Sequence, residues 1–255
     1  LLDRNADSIV TPWGFTLAGN PIMATGEFEK QETKVFRSLI AESDVLVNVG
    51  ANIGYYCCHS LDLGKSVIAI EPVPRNMNYL LRNIEENGWA KRAEVFQTAA
   101  GPDCDIVNIY GGATGASLIK GWAGISPNYC SKSPMLTLDR IAADSLNSQR
   151  ILILIDVEGA EHLVLEGAEK LLSMTPRPTW IVEITTVENQ PEDTPINPYF
   201  ESIFQKFFAL GYRAFSINDV STPITPNQVN DWASGRLAPD CYNFVFQGAE
   251  NPILE

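Results

Sequence analysis

An apolar run, Asp44-Val-Leu-Val-Asn-Val49, enters a glycine turn, Gly50-Ala-Asn-Ile-Gly54, and a second apolar run ends at Ile70-Glu71-Pro72. This order constrains the chain more than any other segment. It reads as a parallel strand feeding a helix, then a second strand ending in an acid, which is the nucleoside-binding half of an open α/β sheet. Gly50 lets the backbone turn sharply and approach a ligand, and Gly54 lets the next helix pack on the sheet. Glu71, at the tip of the second strand, can accept both hydroxyls of a ribose. A dinucleotide turn needs a middle glycine so that a pyrophosphate can sit on the helix N-terminus. Asn52 occupies that space. The turn therefore predicts a ligand without phosphate, S-adenosylmethionine, and disfavours a dehydrogenase.

A chain of 255 residues suits one large α/β domain, and no break in composition divides it. A net charge of -13 argues against nucleic acid, which requires a basic face, and against an anionic membrane surface. It serves solubility. The five cysteines include no C-x-x-C pair, so reduced thiols and a cytoplasmic location are expected. No apolar stretch approaches the roughly 18–20 residues of a membrane span.

Periodicity predicts strands over 44–49, 66–71, 93–99, 151–155 and 179–184, with helices over 53–63, 74–87 and 161–173. A helix over 29–41 precedes them. Phe200, Ile203, Phe204, Phe207 and Phe208 form the core stripe of a later helix. Strands at 212–217 and 242–247 close the set. Two irregular stretches remain: 101–134, with short strands at 106–110 and 116–119, and the Pro- and Asn-rich excursion 218–240. Both are expected on the substrate side, and residues 1–40 form an N-terminal extension on or over the cofactor site. Seven mainly parallel strands with helices on both faces describe a Rossmann-like sheet of the class I methyltransferase kind.

A second acidic segment, Asp156-Val-Glu-Gly-Ala-Glu161, follows the unbroken run Ile151–Ile155. Asp156 falls at the carboxyl end of that strand, where ligands bind in such sheets. Glu158 is read equally as site and as scaffold, and Glu161 is favoured at a helix start by the dipole. Glu183 ends the next strand beside Asp156. The pair could hold a divalent metal, provide a base of raised pKa, or bind the cofactor ammonium; no metal site is predicted. His162 is a further candidate base, and His59 a packing or surface residue. Ser117, Trp122, Tyr129, Glu183 and Trp232 are candidate acceptor contacts, the aromatic rings suited to stacking on a sugar.

The chain resembles the FkbM-type methyltransferases. The resemblance rests on Trp13-Gly-Phe15, Glu29-x-x-Glu32-Thr33, the turn Gly50–Tyr55, Ile70-Glu-Pro72 with Asn76, Gly115-Ala-Ser-Leu118, Thr137-Leu-Asp139, Asp156–Glu161 with Leu165 and Gly167, and Glu183. It implies transfer of a methyl group from S-adenosylmethionine to a hydroxyl of a sugar, glycan or secondary metabolite. Gly50, Asn52 and Gly54 would line the methionine end, Glu71 and Pro72 the ribose, and Thr98 and Ala99 the adenine edge. Asp156 would stand near the reacting methyl, with Asp156, Glu158 and His162 as candidate bases. The family usually has Asp where this chain has Asn48, also a cofactor-side residue. That change motivates the alternative of a catalytically silent nucleotide-binding domain that serves as an interaction module. The sequence does not identify the acceptor or the oligomeric state.

Overall fold

The structure, a computed structural model, describes residues 7–143, 146 and 148–249. Unbroken apolar runs need cover on both faces, and they form the centre of the sheet. Val45–Val49 (β1), Ser66–Ile70 (β2), Ala93–Phe96 (β3), Ile151–Ile155 (β4) and Thr179–Glu183 (β5) lie parallel in the order β3-β2-β1-β4-β5. Tyr212–Ser216 (β6), Asp219–Ile224 (β7) and Asn243–Gly248 (β8) extend it past β5 in the order β8-β6-β7, each antiparallel to its neighbour. The chain leaves β1 toward β2 and returns on its other side as β4. The crevice beyond these two strand ends is therefore the topological switch point.

The sheet has eight strands rather than the seven expected. The extra strand comes from the 218–240 excursion, which is a hairpin strand followed by the helix Pro226–Ala233. Pro223 weakens the strand signal in the sequence, but β7 is an edge strand, where the missing N–H costs no ladder bond. Asp219 starts the strand by accepting the N–H groups of Ser221 and Thr222.

Four helices flank the parallel part: Lys30–Ala41 (α1), Tyr55–Asp62 (α2), Pro74–Glu86 (α3) and Glu161–Glu166 (α4). Phe200–Ala209 (α5) and Pro226–Ala233 (α6) pack on each other. The helix predicted over 161–173 stops at Gly167, where a Cβ would lie 2.1 Å from the Gly101 carbonyl oxygen. A separate turn, Glu169–Leu172, starts where Asp139 accepts the N–H groups of Lys170 and Leu171.

The strand expected over 93–99 also divides. After Phe96 the chain leaves the main sheet, and Ala99–Ala100 joins a three-stranded sheet with Asp105–Tyr110 and Cys130–Leu136. Thr98 fixes this departure, its hydroxyl donating to the Ala99 and Pro134 carbonyls. Residues 116–119 contribute a single bridge, Ser117 to Tyr110, rather than a strand.

At the N-terminal side, Ile9–Val10 and Thr16–Leu17 form a short hairpin. Fully buried Asn83 ties it down, exchanging hydrogen bonds with the Ala18 backbone and donating to the Ile53 carbonyl. His59 is also core. Arg37 Nη1 lies 2.8 Å from its Nδ1, and the rings of Trp13, Phe15 and Tyr55 meet it edge to face. Burial lowers its pKa to about 3.

The phenylalanine stripe is core, as expected: Phe207 of α5 stacks on Phe246 of β8, and Phe204 meets the same ring edge to face. Trp232 belongs to the same cluster, 6.5 Å from Phe200 and 6.0 Å from Phe244, and is 9% exposed. This corrects its assignment as an acceptor contact, because its ring faces are used inside the protein. Trp232→Ala should lower unfolding free energy by about 3 kcal/mol through lost burial and a cavity, with ligand affinity at the strand-end crevice unchanged. Urea denaturation paired with titration calorimetry checks both parts; an affinity loss without destabilisation would restore the discarded role.

Candidate functional site

The crevice is assembled from strand ends and one glycine turn. Gly50 has φ 84°, and a Cβ there would lie 1.8 Å from the backbone oxygen of Asp156. No side chain fits this approach between the ends of β1 and β4. Gly54, at φ 89°, caps α2 and lies against Leu80 of α3. Asn52, between them, is also left-handed, at φ 51°, a conformation that asparagine tolerates better than most residues.

Two cavities share this turn. The first is lined by Gly50, Asn52, Glu71, Pro72, Val73, Asn76, Thr98, Ala99, Ala100, Asp156 and Glu158, among others. It contains every residue expected at the ribose and adenine. Glu71 is 3% exposed; its Oε2 accepts the Asn52 N–H and its Oε1 the N–H of Val73 and the Asn76 amide. Burial raises its pKa to about 7 against these three donors. Each carboxylate oxygen has more than one acceptor site, so Glu71 is oriented by the backbone and retains capacity for hydroxyl donors.

The second cavity, of about 300 Å³, brings together Asn48, Gly50, Asn52, Asp156, Glu158 and Glu183 with Asn20, Met23, Phe28, Glu29, Tyr55, Tyr56 and Thr114. Buried Asn48 donates to Cys57 Sγ at 3.4 Å, leaving its Oδ1 without a hydrogen-bond partner; Asn52 Oδ1 is also buried and unpartnered. Unsatisfied buried acceptors are costly and suit a donor that arrives with a ligand.

Asp156 and Glu183 are hydrogen-bonded to each other. Burial, then the charges of Glu183 and Glu158, hold Asp156 well above the usual carboxylate range. Burial and the neighbouring Glu161 and Glu158 push Glu183 to about 8. Two adjacent carboxylates resist double ionisation, so the pair retains a proton at neutral pH. Among the described residues no group of His, Cys, Asp or Glu is placed to hold a metal ion.

Glu158, left-handed at φ 58°, accepts the Trp122 indole N–H at 2.7 Å. The Trp122 ring lies over Gly159, where a Cβ would be 2.3 Å from it, and the residue is buried. The Ser117 hydroxyl donates to the Glu158 carbonyl and accepts the Ile119 N–H. Ser117 and Trp122 therefore fasten the 111–125 loop to the turn after β4 and line neither cavity, which corrects their reading as acceptor contacts. Tyr129, by contrast, is exposed.

His162 is also displaced from its expected role. It stacks on Tyr199, ring centroids 3.6 Å apart, lines neither cavity, and has its pKa lowered to about 4 by burial. Glu161 is a buried acid whose Oε1 accepts the Val157 and Gly159 N–H groups; burial raises it to about 8. Glu29, Tyr55 and Tyr56 were not singled out for the site by periodicity. Glu29 reads as a helix start within the 1–40 extension expected on or over the cofactor site, and its spacing does not mark it out within that extension.

The sequence model described as Methyltransferase FkbM domain matches residues 48–214. No curated protein matches the sequence. Among solved structures, the methyltransferase FkbM from Methylobacillus flagellatus KT is 23% identical over 55% of this chain, with a TM-score of 0.39. The match spans 32% of that longer protein. An O-methyltransferase from Bacillus cereus in complex with SAH is 13% identical over 86% of this chain and 80% of its own, with a TM-score of 0.48. The precorrin-6y C5,15-methyltransferase from Geobacter metallireducens GS-15 is 12% identical over 78% and 79%, with a TM-score of 0.44.

The raised carboxylates have a measurable consequence for stability. Glu71, Glu161 and Glu183 hold protons in the native state up to about 7, 8 and 8, whereas unfolded glutamates lose theirs near pH 4.3. Between these limits the native state binds more protons, so stability must fall as pH rises. The thermal midpoint of the ligand-free protein should drop by more than about 3 °C from about pH 5.5 to about pH 8. Glu161→Gln and Glu183→Gln should flatten that slope; a midpoint that rises over the interval contradicts the assignment.

Proposed function

Because the chain belongs to the FkbM methyltransferase domain family, its match covering residues 48–214, we propose that it transfers a methyl group from S-adenosylmethionine to a hydroxyl of a small, polar acceptor. A sugar, a glycan or a secondary metabolite fits. The observation that carries this reading is the pair of cavities joined at Gly50, Asn52, Asp156 and Glu158. One holds a buried, backbone-oriented acid suited to a ribose, and the other a wall of carboxylates with two unpartnered amide oxygens.

The residues present fit this cofactor. Glu71 would take the ribose hydroxyls, Thr98 and Ala99 would edge the base, and Asn48 and Asn52 would face the amino-acid end. The bound cofactor supplies an electrophilic methyl on a positively charged sulfonium. The acidic cavity favours that cation over a neutral thioether, so the spent form lacks the attraction that helps hold the donor.

The protein must also align the acceptor and take its proton. Asp156 and Glu183 are the carboxylates that line the second cavity and share a proton, and one ionised oxygen of the pair can receive the hydroxyl proton. Glu158, tied to Trp122, contributes charge more than proton transfer. The amide oxygen of Asn48 is buried without a hydrogen-bond partner, which supports a ligand role for that position over the silent-domain alternative.

Three experiments test the proposal. Glu71→Ala removes charge-assisted acceptors and should weaken S-adenosylmethionine binding by about 1.5–3 kcal/mol in calorimetry; equal affinity sinks the ribose assignment. Asp156→Asn should cut turnover by about 10²–10⁴-fold if the pair is the base. Ionisation of Glu183 near 8 sets the sign of the pH dependence: turnover should rise with pH and level off above that value. A rate that is flat or falling from about pH 6 to about pH 9 removes the pair from proton transfer.

A further inference from the structure

Within that second cavity, one carboxylate has a cost and an orientation that the scaffold alone does not explain. Glu29 precedes α1 in the N-cap position, yet its side chain makes no capping bond and its backbone is left-handed, at φ 41°. Left-handed geometry is unfavourable for a residue with a Cβ. Such strain persists where surrounding contacts impose it and often marks a functional position. Here the contacts are visible. Tyr55 donates to the Phe28 carbonyl and exchanges a hydrogen bond with Thr33, and Tyr56 donates to Glu29 Oε2 at 2.5 Å. Both tyrosines belong to the first turn of α2, directly after Gly54. The glycine turn and Glu29 are thereby fixed to one another, and Glu29 faces the cavity lined by Asn48.

The other acids of this cavity have partners outside the N-terminal segment. Asp156 and Glu183 hold each other, and Glu158 is bound to the Trp122 indole. Glu29 is engaged through a single oxygen by the Tyr56 hydroxyl; burial raises its pKa, and that hydrogen bond opposes the rise. Asn48 adds a buried amide oxygen with no partner, able to accept a hydrogen bond but without charge. An ammonium group needs both: acceptors for its hydrogens and a negative charge to offset desolvation.

We propose that Glu29 supplies the carboxylate that binds the α-ammonium of the cofactor's amino-acid end, with Asn48 as a neutral second acceptor. This rests on the reading of the cavity as the S-adenosylmethionine site, and it assigns Glu29 to binding rather than to proton transfer. The N-terminal segment before α1 is then part of the cofactor site.

Calorimetric titration with three ligands tests it: S-adenosylmethionine, S-adenosylhomocysteine, and methylthioadenosine, which keeps the nucleoside and sulfur but lacks the amino acid. Glu29→Gln keeps the shape and removes the charge. It should weaken the first two by about 10- to 100-fold and leave methylthioadenosine within about twofold. Adding Asn48→Asp to that variant returns a carboxylate to the same cavity and should recover most of the loss. Unchanged affinity in Glu29→Gln overturns the inference, including the case where only turnover falls. Equal loss for all three ligands also overturns it, since Glu29 would then act through the fold. If the unaltered protein binds none of the three, the cofactor reading itself is wrong and this assignment falls with it.

Discussion

Gly50 meets the Asp156 carbonyl at a separation that admits no Cβ, and the site depends on that approach. It lets β1 and β4, neighbours in space but far apart in sequence, end side by side. Asp156 N–H bonds the Val49 carbonyl, while Gly50 and Ala51 N–H both reach the Ile70 carbonyl. One peptide plane is thus held between three strand ends. The turn after it is directed over the sheet, α2 starts at Gly54, and the tyrosines of its first turn anchor the segment carrying Glu29. A side chain at position 50 would have to displace backbone, which no rotamer change can absorb. The geometry of the cleft is therefore a property of main-chain packing, with side chains added to it.

Those side chains create a second constraint, electrostatic rather than steric. Glu29, Glu71, Asp156, Glu158, Glu161 and Glu183 all have pKa values raised chiefly by burial. A fold optimised for stability alone would not bury so many acids near one cavity. Without a ligand they reduce repulsion by keeping protons. A cationic ligand lets them ionise, so binding strength and ionisation are linked. The net charge of -13 hides this arrangement, since composition reports the total and not where the charge is concentrated.

Much of this was legible in the sequence, for identifiable reasons. The glycine turn, Glu71 and Asp156 could be located because each lies at the end of a long apolar run, where strand periodicity fixes position. The phenylalanine stripe of α5 was legible for the same reason. Ser117, Trp122, His162 and Trp232 were misplaced because each lies in or beside a segment whose direction depends on distant partners: the Glu158 carbonyl and carboxylate, the Tyr199 ring, and the Phe200–Phe244 cluster. An aromatic in an irregular segment carries no signal for which way its face turns. Strand β7 was missed because Pro223 is a poor strand residue except at an edge, and edges are a property of the assembled sheet.

Glu29 and Asn48 show how charge can be redistributed in such a site. Asn48 is buried and lines the same cavity as Asp156 and Glu183, so a carboxylate there would be largely desolvated and would add to their charge. Placing an amide at that point relieves repulsion among the acids while retaining a hydrogen-bond acceptor. Glu29 comes from a different segment, reaches the cavity from its other side, and is held by a tyrosine hydroxyl rather than by the strand. On the proposal that Glu29 carries the charge and Asn48 the acceptor, cofactor affinity would depend on docking of the N-terminal segment, whose attachment through Asn83, Thr33, Tyr55 and Tyr56 would then contribute to binding as well as to the fold.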